Sequence, residues 1–408
     1  MTIINEHKKL NFSSEREQSQ ACLNSAEHEK NQGRKVLNVP NLRFKGFQGE
    51  WEKTKFGDIA IVVGGGTPDT NTSQYWNGKI QWFTPSEIGR NKYVYNSVRT
   101  ISEEGLNKSS AKLLPIGTIL LSSRATVGEC SINKKECTTN QGFQSLIPKE
   151  NISNEFVYYL IQTKRKDLIR KSCGSTFLEI SANEVRKIVV SIPTIKEQDK
   201  IAKLLSLLDE RIATQNKIIE DLKKLKSAIS ENLFKAVKGD VVILYEICEI
   251  IKGKQINGEF LSEKGKYYVM NGGTEPSGYY SDYNVEANTI SISEGGNSCG
   301  YVQFNSSPFW SGGHCYTIQK IADNVDNLYL YHYLKSHEDV IMKLRIGSGL
   351  PNIQKKDLAM FKIKLPTVEQ QKSISTFLSS LERKAEIEEM LLNAMKKEKQ
   401  YLLRQMFI

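Results

Sequence analysis

Residues 193–205 read P-T-I-K-E-Q-D-K-I-A-K-L-L, and residues 366–378 read P-T-V-E-Q-Q-K-S-I-S-T-F-L. The two stretches lie 173 positions apart, and their register runs without a gap over residues 174–234 and 347–407. Within it Ile180 matches Ile353, Gln198 matches Gln371 and Phe234 matches Phe407. A gapless register of this length marks a duplicated unit. The repeat continues upstream more weakly: Phe156-Val-Tyr158 corresponds to Tyr329-Leu-Tyr331, and Phe56-Gly-Asp-Ile59 to Leu244-Tyr-Glu-Ile247 at the larger offset of 188. The first copy therefore carries about 15 extra residues between its opening strand and Gly128. A repeat whose variable part is confined to one place reads as a fixed frame carrying two different readers.

The frame is helical. After Pro193, apolar residues recur at Ile201, Leu205, Leu208, Ile212, Ile219 and Leu222; after Pro366, at Ile374, Leu378, Leu381, Leu391, Met395 and Leu402. Steps of three and four predict helices with one apolar stripe. Thr194-x-x-Glu197 and Thr367-x-x-Gln370 have the form of capping boxes, and Gly239 offers a stop for the first helix. A helix of about 40 residues is about 60 Å long and needs a partner for its stripe. The duplicate supplies one. Pseudo-two-fold symmetry then makes the helices antiparallel, with a reader at each end.

The readers are predicted to be α+β. β-prone runs at Ile59–Val63, Gly117–Leu121, Ile188–Ile192, Thr289–Ser293 and Phe361–Leu365 are separated by Gly, Asn and Ser turns. One helix is expected in each, at Glu155–Ser172 and Asn327–Lys343. The expected boundaries are a polar, disordered arm over 1–37, a reader over 38–193, a helix over 194–238, a second reader over 239–366 and a helix over 367–408.

Composition narrows the function. The net charge is +10 over 408 residues, which makes a polyanion the first partner to consider. About +7 of it falls on residues 41–195, whereas 236–366 sum to about −1. Seven cysteines without a C-x-x-C pair argue against a disulfide framework or zinc knuckle. With no apolar run long enough for a bilayer and no signal-like N-terminus, a reduced, cytoplasmic setting is expected. No phosphate-binding G-x-x-x-x-G-K-[ST] loop, no G-x-S-x-G elbow, no H-E-x-x-H and no Asn-Pro-Pro-aromatic motif occurs, so the chain does not read as catalytic or as a metal site.

What remains is a set of polar, glycine-rich segments in each copy. In the first they contribute Gly65, Gly66 and Thr67; Thr84, Ser86 and Glu87; Ser122, Ser123 and Arg124; Asn140 and Gln141; and Ser175 and Thr176. In the second they contribute Asn271, Gly272, Gly273, Thr274, Glu275, Ser277 and Tyr279; Ser293, Glu294, Gly295 and Gly296; His314; and Ser348. Such loops place hydrogen-bonding side chains at base edges while glycine lets the backbone approach phosphates. Arg124 is the candidate for a bidentate pair with guanine.

These features resemble the specificity (S) subunits of type I restriction-modification systems, over about residues 38–408. The resemblance rests on the duplicated G-S-x…P-T-x-x-[EQ]-Q segments, on Phe56-Gly-Asp-Ile59 followed by Gly65-Gly-Thr-Pro68 with Trp76 and Trp82, and on Ile292-Ser-Glu-Gly-Gly296 and Phe309-Trp-Ser-Gly-Gly-His314. It implies two target recognition domains, each reading one half of a split, asymmetric DNA target, joined by a coiled coil that fixes the unread gap. It also implies two methyltransferase (M) subunits and motor-nuclease (R) subunits as partners, with S-adenosylmethionine, ATP and Mg held by them. Four residues inserted near Asn216 are then expected to lengthen the gap. The rival reading is a coiled-coil scaffold presenting two protein- or glycan-binding modules, which would show no salt-dependent DNA binding.

Overall fold

The computed structural model describes residues 37–174, 178–347, 349 and 351–408. Most of the N-terminal arm, together with Ser175, Thr176 and Ser348, lies outside the described residues. The described chain forms two units: residues 37–206 with 399–408, and residues 207–398.

In the first unit, strand β1 (Glu52–Lys55) pairs antiparallel with β10 (Val189–Ile192), joining the start of the reader to its end. Between them lie β2 (Ala60–Gly64), β3 (Trp76–Phe83), β4 (Tyr93–Val94), β5 (Arg99–Ile101), β6 (Ile119–Leu121), β7 (Cys130–Asn133), β8 (Cys137–Thr139) and β9 (Gln144–Pro148). They form a five-stranded sheet in the order β2-β9-β6-β7-β4 and a three-stranded sheet in the order β5-β3-β8. The helix Asn154–Thr163 presents a run of buried side chains from Phe156 to Ile161. Its core also holds Ile201 and Leu205 from the start of the first long helix, and Met406 and Phe407 from the end of the second.

The second unit repeats the plan. Strand β11 (Asp240–Ile243) pairs antiparallel with β19 (Lys362–Leu365). Strands β12 (Glu249–Lys252), β15 (Thr289–Ser293), β16 (Val302–Asn305) and β18 (Cys315–Gln319) form a sheet ordered β12-β18-β15-β16. Strands β13 (Tyr267–Met270), β14 (Gly278–Tyr280) and β17 (Trp310–Ser311) form a sheet ordered β14-β13-β17. The matching strand orders are those of the first unit without β4. The extra residues of the first copy thus become β4 and the helix Glu103–Asn107. Each helix expected over 155–172 and 327–343 is in fact two, breaking at Lys164 and His337, where ψ turns to 7° and 18°. The second piece turns so that Leu168 and Ile341 can also be buried.

The long helices run Ile195–Ala236 and Val368–Gln405. Within the second unit Gln215 Nε2 donates to the Glu388 carbonyl (3.1 Å) and carboxylate (2.6 Å), Lys223 pairs with Glu389 at 2.6 Å and Lys226 with Glu382 at 2.7 Å. On the second helix Leu392, not Leu391, is buried. Leu378, Glu388, Leu392 and Met395 follow a strict 3.5-residue spacing, and neighbouring residues on a helix point about 100° apart, so Leu391 turns to solvent. The capping boxes also differ from expectation. Thr367 Oγ1 accepts from Gln370 N at 3.4 Å, but the Glu197 carboxylate is taken by the Arg43 guanidinium through two 2.8 Å contacts. Gly239 is not a left-handed cap: a Cβ there would lie 2.2 Å from the Leu365 carbonyl, so glycine is required for close passage beside β19.

The repeated glutamine of the opening motif is structural in both copies. Gln198 Nε2 donates to the Pro193 carbonyl at 2.9 Å and its Oε1 accepts from Ser153 N at 3.0 Å. Gln371 makes the matching pair with the Pro366 carbonyl (2.9 Å) and Asp326 N (2.8 Å). Both side chains are buried, so each must satisfy its amide internally.

Candidate nucleic-acid interface

In the first unit, three of the glycine-rich segments come together. Gly66 N donates to the Thr139 carbonyl at 2.8 Å, Thr67 Oγ1 to Gln141 Oε1, and Asn140 N to the Phe83 carbonyl at 3.1 Å. A Cβ on Gly65 would lie 2.0 Å from the Asn140 carbonyl, so the close approach excludes any larger residue there. Thr84 and Ser86 share a 3.1 Å hydroxyl contact beside this loop. Glu87 caps the turn, accepting from Thr84 N and Thr84 Oγ1, and its other oxygen accepts from Val98 N at 2.7 Å. Its carboxylate is occupied in holding the loops and is not offered outward. Thr67, Ser86, Asn140 and Gln141 retain exposed or half-buried surface.

The segment 122–124 is different. Ser122 and Ser123 are fully buried, the Ser122 hydroxyl donating to the Arg124 carbonyl at 2.9 Å. They have no surface with which to reach a base, because the segment continues inward from β6. Arg124 is exposed, but its guanidinium is paired with Glu179 at 2.8 Å, which satisfies and partly neutralises it.

The tryptophans that carried the resemblance are tied to this loop. Trp76 and Trp82 meet edge to face at 5.0 Å, and their indole N–H groups donate to the carbonyls of Asp69 (3.0 Å) and Gly66 (2.9 Å). The Arg99 guanidinium lies 3.6 Å from the Trp76 ring centroid and 5.2 Å from that of Trp82. The cross-strand pairing of Trp82 with Arg99 was not visible without the register of β3 and β5.

In the second unit, Asn271, Gly272, Ser293, Glu294, Gly295 and His314 also converge. The Asn271 side-chain oxygen accepts from His314 N at 3.2 Å, and Ser293 Oγ donates to the Gly272 carbonyl at 2.6 Å. Ser293 and Glu294 are buried, so they organise the loops and do not present themselves at the surface. Glu294 Oε1 accepts from Lys252 Nζ at 2.6 Å and Tyr316 OH at 3.0 Å; its Oε2 faces His314 Nδ1 at 3.8 Å. Burial, reinforced by Glu294, pushes the Tyr316 hydroxyl up, so it remains a donor. Gly296 N donates to the Pro351 carbonyl at 3.0 Å. Thr274, Glu275 and Ser277 are exposed, while Gly273 and Tyr279 are half-buried beside Tyr280 and Trp310, whose rings meet at 5.2 Å. The second loop cluster thus lies beside aromatic rings.

Among the described residues no three His, Cys, Asp or Glu side chains gather as a metal site requires. Burial pushes the Cys130 thiol up, and that of Cys137 to about 12, so neither is a thiolate nucleophile near neutral pH. Among the described residues no helix is long and apolar enough to cross a membrane.

The family model described as the type I restriction modification DNA specificity domain matches twice, over residues 48–224 and 237–397. The chain is 39% identical over 189 residues to the type I restriction enzyme MjaIX specificity subunit of Methanocaldococcus jannaschii, covering 45% of this chain and 44% of that protein. It is 33% identical over 175 residues to the EcoR124I/EcoR124II specificity subunit of Escherichia coli, covering 41% of this chain and 43% of that one. These alignments span less than half the length of either relative. A crystal structure of a type I restriction-modification S subunit from M. genitalium shares the fold with a TM-score of 0.62 at 19% identity, covering 91% of this chain and 99% of that one.

Proposed function

The chain belongs to the type I restriction modification DNA specificity family, and from that premise we propose that it reads a bipartite, asymmetric DNA target, one half-site per reader. Two readers with the same strand order but differently furnished loops support this most directly. The first presents Thr67, Ser86, Asn140 and Gln141 on a net-positive segment; the second presents Asn271, Thr274, Glu275 and His314 beside aromatic rings. Residues 38–193 and 239–366 are the natural units of exchange.

The two long helices act as an antiparallel coiled-coil spacer that fixes the unread gap. The Gln215–Glu388 and Lys226–Glu382 contacts favour this arrangement, since the partner number falls from 388 to 382 as the first helix advances from 215 to 226. The same frame docks two methyltransferase subunits, which bring S-adenosylmethionine, and motor-nuclease subunits, which bring ATP and Mg. This chain contributes recognition and positioning.

The test is to co-express the chain with an adenine methyltransferase subunit and map methylated sites on a genomic library. The expected result is one motif with two defined halves and a constant gap, bound with an affinity that falls steeply as salt rises. Salt-independent binding to a protein or glycan, without DNA selectivity, would support the scaffold reading instead.

A further inference from the structure

We infer that Arg99, not Arg124, is the guanine-reading arginine of the first domain, an assignment that rests on the proposed DNA-reading function. Arg124 already has a carboxylate, Glu179, at 2.8 Å. No carboxylate among the described residues pairs with Arg99; its guanidinium carbon lies over the Trp76 ring, 3.6 Å from the centroid, and its side chain is exposed. Stacking occupies the flat face of a guanidinium and fixes its plane, which leaves the N–H edge to meet two acceptors in that plane. The O6/N7 edge of guanine in the major groove is such a pair.

The support behind Arg99 is rigid. Trp76 and Trp82 are buried, locked edge to face, and tied by their indole N–H groups to the backbone of the glycine-rich loop. From the other side, Ser97 Oγ donates to the Arg99 carbonyl at 2.6 Å and accepts from Trp82 N at 2.9 Å. Glu87 Oε1 holds Val98 N, so the residue preceding Arg99 is fixed as well. A side chain held in this way pays little ordering entropy on contact.

A phosphate also offers two oxygens, so the surroundings decide between the two acceptors. Val98, next to Arg99 in the chain, is 88% exposed. Apolar side chains standing free beside an arginine suit base edges and thymine methyl groups, whereas phosphate contacts are made by polar rims. The segment leading into Arg99 follows β4, the strand that the second unit lacks.

The experiment selects bound duplexes from a randomised library with the full-length chain in complex with its methyltransferase subunit, comparing wild type, Arg99→Lys, Arg99→Gln and Arg124→Lys. Because Arg99 is exposed, these changes leave the core intact, and thermal unfolding of each complex checks this. The expected outcome is that Arg99→Lys loses one guanine from the first half-site, with a drop of about tenfold or more in preference at that position. Arg99→Gln should move that preference toward adenine, while Arg124→Lys, the second half-site and the gap stay as in wild type. Uniformly weaker binding to every duplex, with unchanged base preferences and a shallower salt dependence, would identify a phosphate contact and overturn the assignment. Loss of a guanine on changing Arg124 alone would overturn it too. If the wild-type complex selects no sequence, the DNA-reading proposal itself fails, a result distinct from either.

Discussion

Phe407 stacks on Phe156 with ring centroids 5.2 Å apart and planes 22° from parallel, so the last turn of the chain completes the core of the first unit. Phe234 and Tyr329, the residues that match them at the offset of 173, meet at 5.7 Å in the second unit. Each reader is therefore finished by the end of the helix that follows the other reader.

Phe407→Ala should destabilise the first unit by about 3–5 kcal/mol, the range for truncating a buried phenylalanine. Three of the four tryptophans, Trp51, Trp76 and Trp82, report on that unit, and Trp51 itself packs on Phe407 at 6.4 Å. Denaturant unfolding followed by tryptophan fluorescence should show an earlier transition for Phe407→Ala. Phe234→Ala should leave that signal in place and lower the stability of the second unit instead.

Replacing Gln198 or Gln371 with alanine should cost about 1–3 kcal/mol each, because a buried backbone carbonyl and amide lose their partner together. Hydrogen exchange at Ser153 N or Asp326 N offers a local readout. The prediction fails if those amides keep wild-type protection.

The spacing of the helices makes a sharper demand than an insertion near Asn216 alone. Four residues in one helix interrupt a 3.5-residue seam and displace Gln215 from Glu388. Seven residues in each helix, beside Asn216 and Glu389, preserve the seam and add about 10 Å of length. Methylation mapping should then show both half-sites unchanged and the gap longer by about three base pairs.

His332 carries the pH dependence of the second unit. Burial lowers its imidazole to about 4, helped by Lys226 and opposed by Glu382 and Asp326. It is held by a 2.8 Å contact with Ser379. Because the folded value lies below the 6.5 of a free imidazole, its contribution is complete above about pH 6.5 and is lost as pH falls toward 4. The loss should reach about 3 kcal/mol. A His332→Gln variant should give a flatter stability profile between pH 6.5 and 4; an unchanged slope would assign the effect elsewhere. Glu382 acts at the lower end: burial alone would raise it, but Lys226 and Tyr331 hold it below the ordinary carboxylate range, so its contribution is also lost in acid.

The heptad-like recurrence from Ile201 onward and the matched P-T-x-x-[EQ]-Q openings carry the long helices and the duplication in plain view, because periodicity is a local property. Leu391 shows the limit of that reading. With Leu391 and Leu392 adjacent, only the direction of the partner decides which one is covered. The candidate loops were legible as polar glycine-rich segments, yet Ser122, Ser123, Ser293 and Glu294 share that composition and are buried, since exposure depends on which strand each loop leaves. Arg99 gave no local signal. Its role arises from pairing β3 with β5 across 17 positions, from Trp82 to Arg99.

The amino-acid order alone determined that this protein is a duplicated α/β unit, each copy followed by a long helix, since repeats and apolar spacing are written along the chain. Which residues close each core, and which side chains stand free at its surface, was decided only by tertiary structure. Those properties follow from contacts between segments far apart in sequence, such as Phe407 with Phe156 and Glu179 with Arg124, and no local pattern encodes them.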